Sequence, residues 1–123
     1  QYPIHKHEAE NRAEEDRCIA NVRAEFEEGN VAAVVVEPIT FSGGKMATPT
    51  FFRELRELAR KFNVSMIVDE TRTGMGITGK NWGHDHWYLE DAPDLVAFGG
   101  ATQVAGVFST NDYRPLTPGK LTT

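Results

Sequence analysis

A second cysteine is missing: Cys18 stands alone in 123 residues. That excludes an internal disulfide framework and fits a reducing compartment. Cys18 falls within a helical pattern, where it reads as a small packing residue. Long apolar runs are missing too, and none reaches the roughly 18 residues that a membrane-spanning helix requires. Basic charge is in deficit, with 13 Lys and Arg against 18 Asp and Glu and a net charge of −5. This argues against a nucleic-acid partner, which calls for a basic stripe. The chain opens at Gln1 rather than methionine and shows no signal-peptide pattern, so an upstream segment is expected. What remains is ordinary for a globular chain of at most one domain, 40% hydrophobic and 25% charged.

Residues 10–28 read as an amphipathic helix. Ile19, Val22 and Phe26 recur at helical spacing, the acids between them form a solvated face, and Gly29 is placed to end the helix. The unbroken apolar run 31–36, ending at Glu37-Pro38, reads as a strand buried on both faces. A second helix over 50–62 has Thr48 as its cap and Pro49 in its first turn. Phe52, Leu55, Ala59 and Phe62 line one of its faces, and Asn63 closes it. Strands at 65–69 and 94–98 follow, separated by a segment rich in glycine and aromatics with no clear period.

Strand, helix, strand in that order predicts a right-handed parallel crossover. In such sheets functional groups gather at the carboxyl ends of the strands. Glu37, Asp69 and the Gly99–Ala101 turn fall there. Two helices are too few to cover both faces of a parallel sheet. Other protein subunits are therefore expected over the uncovered strands, and the chain is not expected to be stable alone.

Several motifs invite chemistry that their context denies. Gly74-x-Gly76-x-x-Gly79 matches a dinucleotide fingerprint, but Asp69 to Thr73 stand between it and the apolar run and no helix follows. His84-x-His86 lacks a third ligand at suitable spacing, so packing or hydrogen bonding beside Trp82 and Trp87 is the better reading. His5 and His7 read as a polar loop. Asp69, at the end of an apolar strand, is costly to bury unless a cationic partner meets it.

Taken together the segments resemble the class III (omega) aminotransferases, the 4-aminobutyrate and lysine 6-aminotransferase branches above all. The likeness rests on Val34-Val35-Val36-Glu37-Pro38-Ile39, Gly43-Gly44, Phe51-Phe52-Arg53-x-Leu55-Arg56 and Val68-Asp69-Glu70-x-x-Thr73-Gly74. It continues through Gly76-x-Thr78-Gly79-Lys80, Trp82-x-His84-x-His86-Trp87, Pro93-Asp94-x-Val96-x-Phe98 and Arg114-Pro115. The resemblance implies an α/β fold, a segment of the large domain of fold-type I pyridoxal-phosphate-dependent transferases. That domain is a mostly parallel sheet with flanking helices, here incomplete. It implies that Asp69 pairs with the coenzyme's pyridine nitrogen and keeps the ring an electron sink. It also implies that Glu37 pairs with a movable substrate-site arginine.

The departures are as informative. Where the family carries the lysine that holds the coenzyme, this chain has Gly100-Ala101, with Ala101 at the expected position of the amine. Without it there is neither covalent attachment nor a base for the proton shift. Arg72 stands where a glutamine faces the coenzyme's phenolic oxygen. It can donate there with a different reach. By the resemblance, the phosphate-cradling loop lies before Gln1 and the small domain after Thr123, so this chain is expected not to hold pyridoxal phosphate. The leading expectation is a catalytically inactive structural subunit of a larger assembly. The alternative is a fragment or lysine-altered form of a 4-aminobutyrate (or lysine 6-) aminotransferase that passes an omega-amino group to 2-oxoglutarate. The eukaryotic members of that group make a mitochondrial location the expectation, and otherwise a cytoplasmic one.

Overall fold

The computed structural model describes residues 4–42 and 46–114, with side chains from residue 8 onward. Gly43, Gly44, Lys45 and the stretch from Pro115 to Thr123 lie outside the described residues. Helix α1 spans Ile4–Glu27, strand β1 Ala33–Val36, helix α2 Pro49–Lys61 and strand β2 Ser65–Asp69. Strands β3, Leu95–Phe98, and β4, Gly106–Ser109, complete a four-stranded sheet in the order β1-β2-β3-β4. The first three strands run parallel, with Val35 opposite Ile67 and Asp69 opposite Ala97, and β4 is antiparallel to β3. Among the described residues no helix is long and apolar enough to cross a membrane.

Helix α2 owes its start to Thr48, whose hydroxyl accepts the Phe51 N–H, and to Pro49 in the first turn. Its core face carries Phe52, Leu55, Leu58 and Ala59, all buried, and Asn63 follows in the left-handed region at φ 54°. Phe52 stacks on Trp87 with ring centroids 3.7 Å apart, and both pack with Leu55, Met66, Val68 and Val96. Phe26 of α1 packs with Leu58, Ala59 and Val64 in a second cluster.

Three sequence expectations are corrected, and one strand is added. Helix α1 begins at Ile4 rather than at residue 10, so the backbone of His5 and His7 is helical and not a loop. Cys18 is exposed, because the buried stripe of α1 runs through Ile19, Val22 and Phe26 and Cys18 lies beside it. The strand read at 31–36 starts at Ala33 and is an edge strand, with Val35 exposed, so it is not buried on both faces. Strand β4 had no counterpart in the sequence reading. It forms because Gly106 lets Phe98 lie directly over its backbone.

Candidate functional site

The carboxyl ends of β1, β2 and β3 bring Glu37, Asp69 and the Gly99–Ala101 turn to one edge of the sheet, as parallel strands in register must. Asp69 is half-buried. Its Oδ1 accepts the Thr71 N–H at 3.0 Å and the Thr71 hydroxyl at 2.6 Å. No donor among the described residues reaches its Oδ2, and the expected cationic partner is not one of them. Glu37 accepts the backbone N–H of Phe41 at 3.1 Å. Arg72 is exposed and lays its guanidinium 3.5 Å over the Phe41 ring, so it stands between the ends of β1 and β2. Gly100 has φ +66°, and a Cβ there would sit 2.8 Å from the Thr71 carbonyl oxygen. The 99–101 turn therefore lies directly against the loop following Asp69, and the methyl of Ala101 is exposed on it.

The tightest polar cluster lies one residue further on and was not singled out in the sequence. Glu70 is only 1% exposed. Its Oε1 accepts the Thr73 hydroxyl and the Gly83 N–H at 2.9 Å, while Oε2 accepts the His84 N–H at 3.0 Å and faces His84 Nδ1 at 2.7 Å. Burial pushes this carboxyl's pKa up. The hydrogen bonds from His84, Thr73 and Gly83 outweigh that and hold it below the usual carboxylate range. A signal for it existed: Glu70 is followed by Thr73 at i+3, and an acid directly after an apolar strand, once buried, must find donors somewhere.

A second buried acid, Asp94, is clamped by Arg56, whose Nη1 donates at 2.7 Å, and by the Met66 N–H at 2.7 Å. Burial raises its pKa and these partners lower it further than that. Arg56 also donates to the carbonyls of Asp91 and Ala92. This clamp ties α2 to the segment entering β3 and lies away from Asp69.

The histidines and glycines take structural places. His86 Nε2 lies 3.0 Å from the Thr78 carbonyl oxygen. Gly74 packs against the Trp82 ring, and residues 74–79 are turns rather than the start of a helix. No group of three or more possible metal ligands occurs among the described residues.

The coenzyme implied by the resemblance can be tested against these atoms. Asp69 Oδ2 is an acceptor awaiting a donor and fits a protonated ring nitrogen. The covalent anchor that the resemblance places at position 101 does not fit, since Ala101 ends in a methyl group. Of the lysines with described side chains, Lys61 lies over Phe62 and Lys80 donates to the Tyr88 hydroxyl. The described residues therefore offer the coenzyme an acceptor and no amine.

Comparison with known proteins agrees with the fold and the motifs. The sequence profile described as Aminotransferase class-III matches residues 1–114. The chain is 49% identical over 117 residues to 4-aminobutyrate aminotransferase of Dictyostelium discoideum, covering 93% of this chain and 24% of that protein. It is 38% identical over 123 residues to the mitochondrial 4-aminobutyrate aminotransferase of Rattus norvegicus, covering 95% of this chain and 25% of that protein. Lysine aminotransferase from M. tuberculosis, solved in the internal aldimine form, superposes with a TM-score of 0.75 at 40% identity. The overlap covers 80% of this chain and 23% of that one. The chain spans about a quarter of the length of the curated relatives it matches. With a matching profile over nearly its whole length and this parallel sheet, the chain belongs to the class-III aminotransferases.

Proposed function

We propose that this chain carries the central sheet segment of a 4-aminobutyrate-type aminotransferase, in a form that keeps the ring-nitrogen acceptor Asp69 and lacks the amine at position 101. The single observation carrying this reading is Asp69 at the carboxyl end of β2, with one oxygen held by Thr71 and the other open. Pyridoxal phosphate is the coenzyme of the family, and when bound it supplies an electron sink. Toward it, Asp69 holds a negative charge at the ring-nitrogen position, Arg72 offers donors at the mouth of the site, and Glu37 offers a carboxylate for a substrate-site cation. Position 101 supplies neither a covalent hold nor a proton carrier. Transfer of an omega-amino group to a keto acid by the chain as it stands is therefore slowed by several orders of magnitude. The relatives from animals named as mitochondrial support a mitochondrial location.

The sequence ranked a non-catalytic interaction subunit first. The comparisons favour the aminotransferase reading instead, since the 4-aminobutyrate enzymes match colinearly over almost the entire chain. The subunit role stands as a second reading on one observation. Val35 on β1 and Val107 on β4, one on each edge of the sheet, are 63% and 60% exposed, and a partner chain at either edge would cover apolar surface.

Titration of the full chain and of Ala101→Lys with pyridoxal phosphate separates these readings. The aminotransferase reading expects a visible absorption band, fixed by borohydride to residue 101, only after the amine is restored. No band in Ala101→Lys, or amino transfer by the unaltered chain well above solution background, defeats it.

A further inference from the structure

Resting on the aminotransferase reading, we propose that Glu70 is the positioning residue of this site, its buried carboxylate locking the loop 73–84 across the ends of β1, β2 and β3. All four of its side-chain contacts go to that one loop: the Thr73 hydroxyl, the Gly83 and His84 N–H groups and the His84 ring. Its backbone works in the same direction. The Glu70 N–H donates to the Ala97 carbonyl of β3 at 2.8 Å, and its carbonyl accepts the N–H groups of Thr73 and Gly74.

The anchored loop then touches each strand end. A Cβ on Gly83 would lie 2.8 Å from the Glu70 Oε1 and 2.8 Å from the Pro38 Cβ, so the loop is seated on the residue after Glu37. Trp82 meets Phe98 edge-on at 6.1 Å and Phe108 at 5.7 Å, which places it against β3 and β4. The segment 69–71 is thereby held on two sides. Glu70 is fixed from within, and the Thr71 carbonyl faces Gly100 at a separation that admits no Cβ. Thr71 in turn orients Asp69 through two bonds to one oxygen. An amide in place of the carboxylate keeps the volume but cannot accept from every donor at once. The loop is thereby released, with the core under α2 untouched.

The test uses the full 123-residue chain labelled with 5-fluorotryptophan, compared with Glu70→Gln and with Thr73→Val, which removes one donor only. In Glu70→Gln the Trp82 fluorine resonance should move toward that of the free amino acid while Trp87 stays. Amide exchange at Thr71, Gly83 and His84 should quicken tenfold or more while Met66 changes by less than about twofold. Thr73→Val should give the same pattern at smaller amplitude. The proposal is overturned if Thr71 and Trp82 are unmoved in Glu70→Gln. It is equally overturned if Met66 and Trp87 change in step with them, because Glu70 then supports only the global fold. Should Glu70→Gln fail to fold, Thr73→Val is judged by the same two criteria. None of these signals involves the coenzyme, so a missing absorption band in Ala101→Lys beside an intact loop pattern would sink the aminotransferase reading alone.

Discussion

Replacing Asp94 by asparagine removes the charge that Arg56 is buried against. The Arg56 side chain is 5% exposed and that of Asp94 11%, with a separation of 2.7 Å. Taking away one partner of such a pair costs about 3–5 kcal/mol, because the remaining charge stays buried. Two features place this case at the lower end. Asp91, itself 45% exposed, lies 3.3 Å from Arg56 Nη2 and retains some of the compensation, and the asparagine oxygen can still accept the Met66 N–H. The expected loss is about 3 kcal/mol, a large share of the ~5–15 kcal/mol that small domains possess. Urea unfolding followed by circular dichroism measures it. With a slope of about 1.5 kcal/mol per molar, the midpoint should fall by about 2 M at unchanged slope. A shift below about 0.3 M would show that Arg56 is satisfied by its carbonyl partners and that the clamp carries little of the fold.

Acid should weaken the fold through the same groups. The native pKa values of Asp94 and Glu70 are held down, so in the window below about pH 4 the unfolded chain binds more protons and stability falls with pH. Asp94→Asn should flatten that slope in a pH series of urea midpoints, and an unchanged slope would contradict the assignment. Gly83→Ala forces a methyl within 2.8 Å of both the Glu70 carboxylate and Pro38, which should cost about 1–3 kcal/mol in the same assay. A neutral result would mean the loop is less tightly seated than drawn. Thr48→Ala removes the cap of α2 and the hydroxyl bonded to Glu15, and should cost about 1 kcal/mol with the helix content retained. Phe52→Ala empties the stack on Trp87 and should cost about 3–5 kcal/mol, with the near-ultraviolet dichroism of Trp87 lost.

Much of the scaffold was legible because it is written at short range. The stripe Phe52, Leu55, Ala59 announces α2 through its period, and Thr48-Pro49 announces its start. Asp69 and the 99–101 turn were legible as strand-end features because parallel β-α-β order sends strand ends to a common edge. Strand β4 was not legible. Gly106–Ser109 is short and largely exposed, and it pairs with β3 where Phe98 lies over the bare backbone of Gly106. The edge position of β1 was likewise hidden, since an apolar run looks the same in the middle of a sheet and at its rim. Cys18 was misplaced by the same limit, a helical period giving the spacing of a buried stripe but not which neighbours it excludes.

By itself the amino-acid order determined the family and the parallel core, for each is a matter of residue type in a local pattern. Only the tertiary structure decided what the buried acids do. Apart from Thr73 at i+3, Glu70 and Asp94 find their side-chain partners 13 to 38 residues away, and no local pattern says which distant donors a carboxylate will meet once chain segments are packed together. The physical reason is desolvation: a charge taken out of water must be met by groups that the fold, not the neighbouring residues, brings to it.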